Sequence, residues 1–184
     1  MTPARTGCPF ESGFVALGST PQGQGLKREM LAKAGLDTTR VTFVPSDLMT
    51  DSWFARLVDA GFEPDKPSFF LWKAVTMYLE REAVRHVLRT IAGTACGSVV
   101  AFDYLTTDTL ESRSLCMRYA RAALHAIGEP WRFGLESTPP VRKQVAALLE
   151  SCGLSMDEHR TFGQETDRKH ARGGFAVAVV LPEG

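Results

Sequence analysis

The chain of 184 residues lacks several features that would define its class. Its four cysteines form no Cys-x-x-Cys pair and have no histidine at zinc-ligand spacing, so we expect free thiols and no metal site. No run of about 18 apolar residues occurs, and the first ten residues lack the apolar core of a signal peptide. The sequence therefore predicts a cytoplasmic protein that does not associate with membranes.

The chain also lacks net charge, because 21 lysines and arginines balance 21 aspartates and glutamates. Such a balance provides no field that would attract nucleic acid or an anionic surface. Hydrophobic residues make up 44% of the chain, which is enough for one real core at this length. We expect a single soluble domain without a nucleic-acid partner.

Short apolar runs alternate with amphipathic segments along most of the chain. The predicted strands are 14–17, 41–44, 68–72, 98–105, 154–162 and 175–181, and the predicted helices are 26–34, 52–60, 80–91, 110–127 and 141–152. This alternation predicts an α/β fold with a mostly parallel sheet and helices on both faces. The continuous apolar run at 68–72 predicts a strand buried on both faces. Ligands of such sheets bind beyond the carboxyl ends of the strands, here after Val44, Trp72 and Leu105.

Residues 1–25 differ from the rest because Gly, Pro, Ser and Thr dominate their composition. The three scattered glycines Gly18, Gly23 and Gly25 are typical of a flexible connector. We therefore divide the chain into an irregular or alternative N-terminus, 1–25, and a partial domain, 26–184.

The segment 67–80, Pro-Ser-Phe-Phe-Leu-Trp-Lys-Ala-Val-Thr-Met-Tyr-Leu-Glu, resembles the signature of the leucine carboxyl methyltransferase family. Blocks at 26–29, 41–48, 101–104 and 128–134 support the resemblance in the family's order. The resemblance implies a Rossmann-like class I methyltransferase sheet with an antiparallel C-terminal strand. It also implies the cofactor S-adenosylmethionine (SAM) and methyl transfer to oxygen, with a small-molecule or protein carboxylate or hydroxyl as the acceptor.

Two residues after the second predicted strand are candidates for cofactor binding. By the resemblance, Asp47 and Leu48 contact the adenine, since a carboxylate can accept from the exocyclic amine and a leucine can cover a ring face. The alternative is that Asp47 only caps the helix that follows.

The resemblance places Trp72, Lys73, Thr76 and Tyr78 between methyl donor and acceptor. We assign Trp72 and Lys73 to cofactor binding and Tyr78 to a catalytic role, with core packing or a solvated charge as the alternatives. Relatives commonly carry glutamate and glycine where this chain has Lys73 and Ala74. This reversal of charge removes contacts to a cationic donor and favours an acidic acceptor.

Two further residues are candidates for substrate binding. Tyr104 ends a predicted strand and is expected to face the substrate or to cover the core. Arg132 lies between two aromatic residues and is expected to clamp a carboxylate or to remain at the surface. The four histidines, His86, His125, His159 and His170, are interpreted as surface residues, and none is assigned to catalysis.

The glycine-rich loop that opens the cofactor site in this family, Gly-x-Gly-x-Asp-Thr-Arg, is absent. The position of the acidic residue that holds the ribose in this family falls near Gly18 or Ser19, and neither residue can accept hydrogen bonds as a carboxylate does. The resemblance therefore implies a truncated start that lacks the first strand, and an exposed sheet edge through which a homodimer is possible. The alternative function is an inactive remnant of the fold or an interaction module.

Overall fold

The computed structural model describes residues 14–18, 21–49, 52–166 and 169–182. The chain forms two compact units, Met1–Phe62 and Glu63–Gly184, and each contains its own sheet. Strands and helices alternate in the first unit and through the first part of the second, and two strands close the second unit, as the sequence predicts. The division predicted at residue 25 stays a prediction.

The first unit is built on a parallel pair of strands. Strand β1 (Phe14–Gly18) leads through helix α1 (Pro21–Lys33) to β2 (Val41–Pro45), and helix α2 (Ser52–Asp59) follows. The last residues of β1 and β2 pair with each other, so both carboxyl ends lie at one edge. This edge is where the resemblance locates cofactor contacts.

Helix α1 begins five residues earlier than the sequence predicts. Gly23 and Gly25 lie inside this helix, so the flexible connector predicted there is wrong. Proline is well suited to the first helical position, where no amide hydrogen is needed, and Pro21 occupies it. The predicted end is confirmed, because Gly35 has a left-handed φ of 67° and the next amide bonds to the carbonyl of Leu31 at 3.1 Å.

The second unit contains a four-stranded mixed sheet. Its strands are β3 (Phe69–Trp72), β4 (Val99–Leu105), β5 (Ser155–Thr161) and β6 (Gly173–Val179), in the order β3-β4-β6-β5. Strands β3 and β4 are parallel, whereas β6 is antiparallel to both of its neighbours. The antiparallel C-terminal strand is confirmed, and parallel pairing is less dominant than expected.

Four helices and one 3₁₀ turn connect these strands. The turn is Thr76–Tyr78, and the helices are α3 (Arg81–Ala92), α4 (Thr107–Leu110), α5 (Leu115–Ala126) and α6 (Val141–Glu150). The amphipathic pattern predicted for α3 is confirmed, since its buried residues recur three and four apart. They are Val84, Val87, Leu88 and Ile91.

The single helix predicted over 110–127 is wrong, because the chain breaks it into α4 and α5. Ser114 caps α5, and its hydroxyl accepts a hydrogen bond from the amide of Met117 at 3.3 Å. Arg121 donates to the carbonyl oxygens of Leu110 at 2.6 Å and Ser112 at 2.9 Å, which satisfies the end of α4. Side-chain hydrogen bonds thus override the continuous helical pattern.

The two faces of the second sheet differ in burial. One face is the core, and its strand residues are Trp72, Val100, Phe102, Tyr104, Ala176 and Ala178. The opposite face exposes Phe69 by 56%, Leu71 by 67% and Phe175 by 49%. The prediction that β3 is buried on both faces is therefore wrong. Among the described residues of its unit, β3 pairs with β4 alone and is an edge strand, and the homodimer predicted for such an edge stays a prediction.

Candidate active site

The carboxyl ends of β3 and β4 lie side by side, because the two strands are parallel and Trp72 pairs with Phe102. The indole of Trp72 is buried and lies 6.3 Å from the Phe102 ring, centroid to centroid. Lys73, the next residue, is exposed. The Trp72 ring is therefore packed in the core, as the alternative to a cofactor contact predicts.

A tight turn follows Trp72. Ala74 has a left-handed φ of 55°, and its amide donates to the Asp103 carboxylate at 2.7 Å. This conformation costs a non-glycine residue about 1 kcal/mol, whereas glycine adopts it without steric cost. The hydrogen bond joins the end of β3 to the end of β4 and fixes the backbone that carries Lys73.

Two buried polar atoms near this turn have no hydrogen-bond partner among the described residues. They are the Trp72 indole nitrogen, on a residue 6% exposed, and the hydroxyl of Thr76, which is fully buried. A buried donor left unpaired costs about 1–3 kcal/mol. Unpaired polar groups of this kind are expected where a protein binds a polar ligand.

The 3₁₀ turn that carries Tyr78 is held by the segment around Arg132. The carbonyl of Met77 accepts from the amides of Arg132 at 2.7 Å and Phe133 at 3.2 Å. Tyr78 is half-buried. The Arg132 guanidinium donates to the Glu80 carboxylate at 2.6 Å, so a carboxylate clamp by Arg132 has to share or displace Glu80.

Tyr104 is fully buried, so the structure supports the interpretation that it covers the core. Its hydroxyl lies 2.7 Å from Nε2 of His159, and the two rings stack at 6.0 Å. Burial raises the pKa of the Tyr104 hydroxyl, and the charge of Glu165 raises it further. Burial, followed by the charge of Arg142, lowers the pKa of His159, against the opposing effect of Glu165. His159 is therefore not the surface histidine that the sequence predicts.

In the first unit, Asp47 and Leu48 follow the end of β2, as predicted. The Asp47 carboxylate accepts from the Met49 amide at 2.9 Å, which makes a local turn after β2. Leu48 is half-buried. The neighbouring Ser46 is 4% exposed, and its hydroxyl has no hydrogen-bond partner among the described residues. Gly18 ends β1 beside this edge, and Ser19 lies outside the described residues.

One pair of polar residues at the second sheet was missed from the sequence. His170 Nδ1 bonds to the Asp108 carboxylate just beyond the end of β4. The two residues are 62 positions apart, and each stands in a polar stretch without a motif. No local pattern could have indicated that they meet.

This arrangement of strands is that of a class I SAM-dependent methyltransferase fold. A mitomycin 7-O-methyltransferase is 19% identical, with a TM-score of 0.56 over 91% of this chain and 41% of its own. A SAM-dependent methyltransferase from Methanosarcina mazei is 14% identical, with a TM-score of 0.56 over 93% and 84%. A magnesium protoporphyrin IX methyltransferase from Synechocystis, solved with S-adenosylhomocysteine, is 10% identical, with a TM-score of 0.52 over 90% and 63%. The chain thus spans less than half of the mitomycin methyltransferase.

Residues 19–92 match the model of the leucine carboxyl methyltransferase family, which confirms the resemblance predicted from the sequence. The match includes both segments assigned to the cofactor, 47–48 and 72–73. No curated protein matches the sequence. Among the described residues, every helix is too short or too polar to cross a bilayer.

Proposed function

We propose that this chain binds SAM and transfers its methyl group to an oxygen atom, a carboxylate or hydroxyl of a small molecule or a protein. One observation carries the proposal. Two buried polar groups without partners among the described residues, on Trp72 at the end of the parallel strand β3 and on Thr76 shortly after it, lie at the edge where folds of this class bind ligands.

These groups suit the polar part of SAM. An indole N–H can only donate, and the methionyl carboxylate of SAM can only accept. The threonine hydroxyl can do either. When bound, SAM supplies an electrophilic methyl group on a sulfonium sulfur. The chain's own residues hold the reactants in line, and this positioning is the main source of acceleration when the acceptor is already ionised.

Lys73 stands where the resemblance to the leucine carboxyl methyltransferase family leads us to expect a glutamate. Its exposed ammonium follows Trp72 and is held on the turn fixed by Ala74 and Asp103. A cation here repels the sulfonium but attracts a carboxylate. We therefore expect Lys73 to contact a carboxylate, on the cofactor or on the acceptor, with Tyr78 and Arg132 on the acceptor side.

SAM and S-adenosylhomocysteine binding, measured by calorimetry on the folded chain, tests the proposal directly. Trp72→Phe is expected to weaken S-adenosylhomocysteine binding about tenfold, which corresponds to about 1.4 kcal/mol. Trp53→Phe is the matched control, because the Trp53 indole nitrogen is equally buried and has no partner among the described residues, yet lies within α2. We expect its affinity to stay within twofold of wild type.

The adenine contact is tested in the first unit by Asp47→Ala. Asp37→Ala is a close control, since the Asp37 carboxylate also accepts an amide hydrogen bond two residues ahead at 2.9 Å. Weaker binding in Asp47→Ala alone supports the assignment, whereas equal affinity in the two variants contradicts it. If a folded wild-type chain binds neither ligand, the proposed methyltransferase function is wrong, and the alternative function, an inactive remnant of the fold, takes its place.

A further inference from the structure

We propose that His170 and Asp108 form an acid–base pair that takes the proton from a hydroxyl acceptor. The inference rests on the proposed function and narrows it, because it selects a hydroxyl over a carboxylate as the methyl acceptor. A carboxylate is ionised at neutral pH and needs no base, whereas an aliphatic or phenolic hydroxyl does.

The hydrogen bond between the two side chains fixes the role of each ring nitrogen. Nδ1 of His170 faces an oxygen of the Asp108 carboxylate, which can only accept. Nδ1 therefore carries the proton, and Nε2 keeps a lone pair that can accept another.

Buried polar contacts hold both backbones in place. The amide of Asp108 donates to the hydroxyl of Ser137 at 2.9 Å, and Ser137 is 3% exposed. On the other side, the hydroxyl of the fully buried Thr106 donates to the carbonyl of Ala171 at 2.7 Å, next to His170. The two side chains themselves remain 57% and 40% exposed, so a ligand can reach them.

The register of the sheet determines where the pair lies. Leu105, the last residue of β4, pairs with Gly173, the first residue of the antiparallel strand β6. Asp108 follows β4 and His170 precedes β6, so both lie beyond the carboxyl end of β4. Since β3 is parallel to β4, this is the edge that also carries Trp72 and Lys73.

Methyl transfer to the hydroxyl breaks two bonds and forms two. The acceptor O–H bond breaks, and its proton goes to Nε2 of His170. The oxygen lone pair forms the new O–C bond to the methyl carbon. The S–C bond of the donor breaks and its electron pair stays on sulfur, which leaves S-adenosylhomocysteine as a neutral thioether. The imidazolium then releases its proton to water.

The simpler alternative is an ordinary surface ion pair, which contributes little to stability and has no chemical role. Stability measurements cannot separate the two interpretations, but reactivity and ring protonation can. Of the other histidines, His159 is committed to Tyr104, while His86 and His125 lie on helices α3 and α5.

The experiment uses the full chain with two acceptor probes. The first is p-cresol, whose hydroxyl has the pKa of a tyrosine side chain, about 10, and needs a base at neutral pH. The second is benzoate, which needs none. Binding of SAM to the wild-type chain is measured first, so that failure of the proposed function is recognised separately.

We expect His170→Gln to bind SAM within twofold of wild type and to methylate p-cresol at least about 100-fold more slowly. His125→Gln, which removes an exposed histidine from α5, should match wild type. Asp108 is a positioning residue, so Asp108→Asn should lower the p-cresol rate. It should also change the His170 tautomer in long-range ¹H–¹⁵N spectra and leave the benzoate rate within twofold of wild type, whereas a purely structural role would lower both rates.

Equal p-cresol rates in His170→Gln and wild type, or methylation of benzoate alone, would overturn the inference. If neither probe is methylated, titration of p-cresol against the SAM-bound chain decides. A shift of the His170 Nε2 resonance supports the contact, and an unmoved resonance rejects it. If the wild-type chain does not bind SAM, this inference fails together with the proposed function.

Discussion

The second unit contains two histidine pairs that differ in their surroundings. Tyr104 and His159 meet in and beside the core, whereas Asp108 and His170 are half-exposed at the edge of the sheet. When one member of a buried polar pair is removed, the other is left without a hydrogen bond and destabilises the fold. When one member of an exposed pair is removed, water replaces it and stability changes little. The comparison separates a histidine that serves the fold from one that is available for chemistry.

The buried pair depends on a glycine between its members. Tyr104 on β4 and His159 on β5 are separated by β6, and Tyr104 pairs with Gly174 on that strand. A Cβ on Gly174 would lie 2.8 Å from the Tyr104 hydroxyl oxygen. The absence of a side chain at Gly174 thus allows the tyrosine to reach across β6.

The largest expected effect on the free energy of unfolding is that of Gly174→Ala. The added Cβ would also lie 2.4 Å from the Arg160 carbonyl oxygen, which is backbone and cannot move without disturbing the β5–β6 ladder. We expect a loss of about 3 kcal/mol in the free energy of unfolding, measured by urea denaturation. Gly93→Ala is the control, because its Cβ would make only an ordinary contact of 3.5 Å. Equal stability of the two variants would contradict the role given to Gly174.

Removing the hydroxyl of the buried pair should have the next largest effect. Tyr104→Phe leaves Nε2 of His159 without its hydrogen-bond partner, at a cost of about 1–3 kcal/mol in the free energy of unfolding. A double-mutant cycle with His159→Leu isolates the interaction. Additive losses in that cycle would mean that the two side chains are not coupled.

The buried pair should also respond to pH. The folded pKa of His159 is lowered, so its neutral form is favoured and its contribution is fully present above the ordinary histidine value of about 6.5. That contribution is lost as pH falls from there through the folded pKa, because the unfolded chain binds the proton more readily. We expect the free energy of unfolding to fall between pH 7.5 and pH 5.5 by less in His159→Gln than in wild type. The same fall in both would reject the assignment to His159.

The smallest expected effect is that of His170→Gln on stability. Because the His170–Asp108 pair is exposed, its loss should change the free energy of unfolding by less than about 1 kcal/mol. Thermal and urea denaturation of the variant alongside Tyr104→Phe measure the contrast. A loss as large as that of Tyr104→Phe would show that the exposed pair also serves the fold.

Some of the candidate site could be predicted because its signals are local. The apolar run 68–72 located Trp72 at the end of a strand and Lys73 just after it, and the β-branched run that ends at Pro45 located Asp47. The Lys73-Ala74 sequence stood out against the family signature. The conformation of this turn could not be predicted, because the left-handed Ala74 donates its amide hydrogen bond to Asp103, 29 residues away.

The sequence by itself determined the alternation of strands and helices, the amphipathic face of α3 and the identity of the strand-end residues, since each depends on spacing within a few neighbours. Only the tertiary structure decided that Phe69 and Leu71 are exposed, that a serine cap interrupts a helical pattern, and that two histidines have different roles. Those outcomes depend on which strands become neighbours. The His159 and His170 contacts join residues 55 and 62 positions apart, and register across β6 sets them.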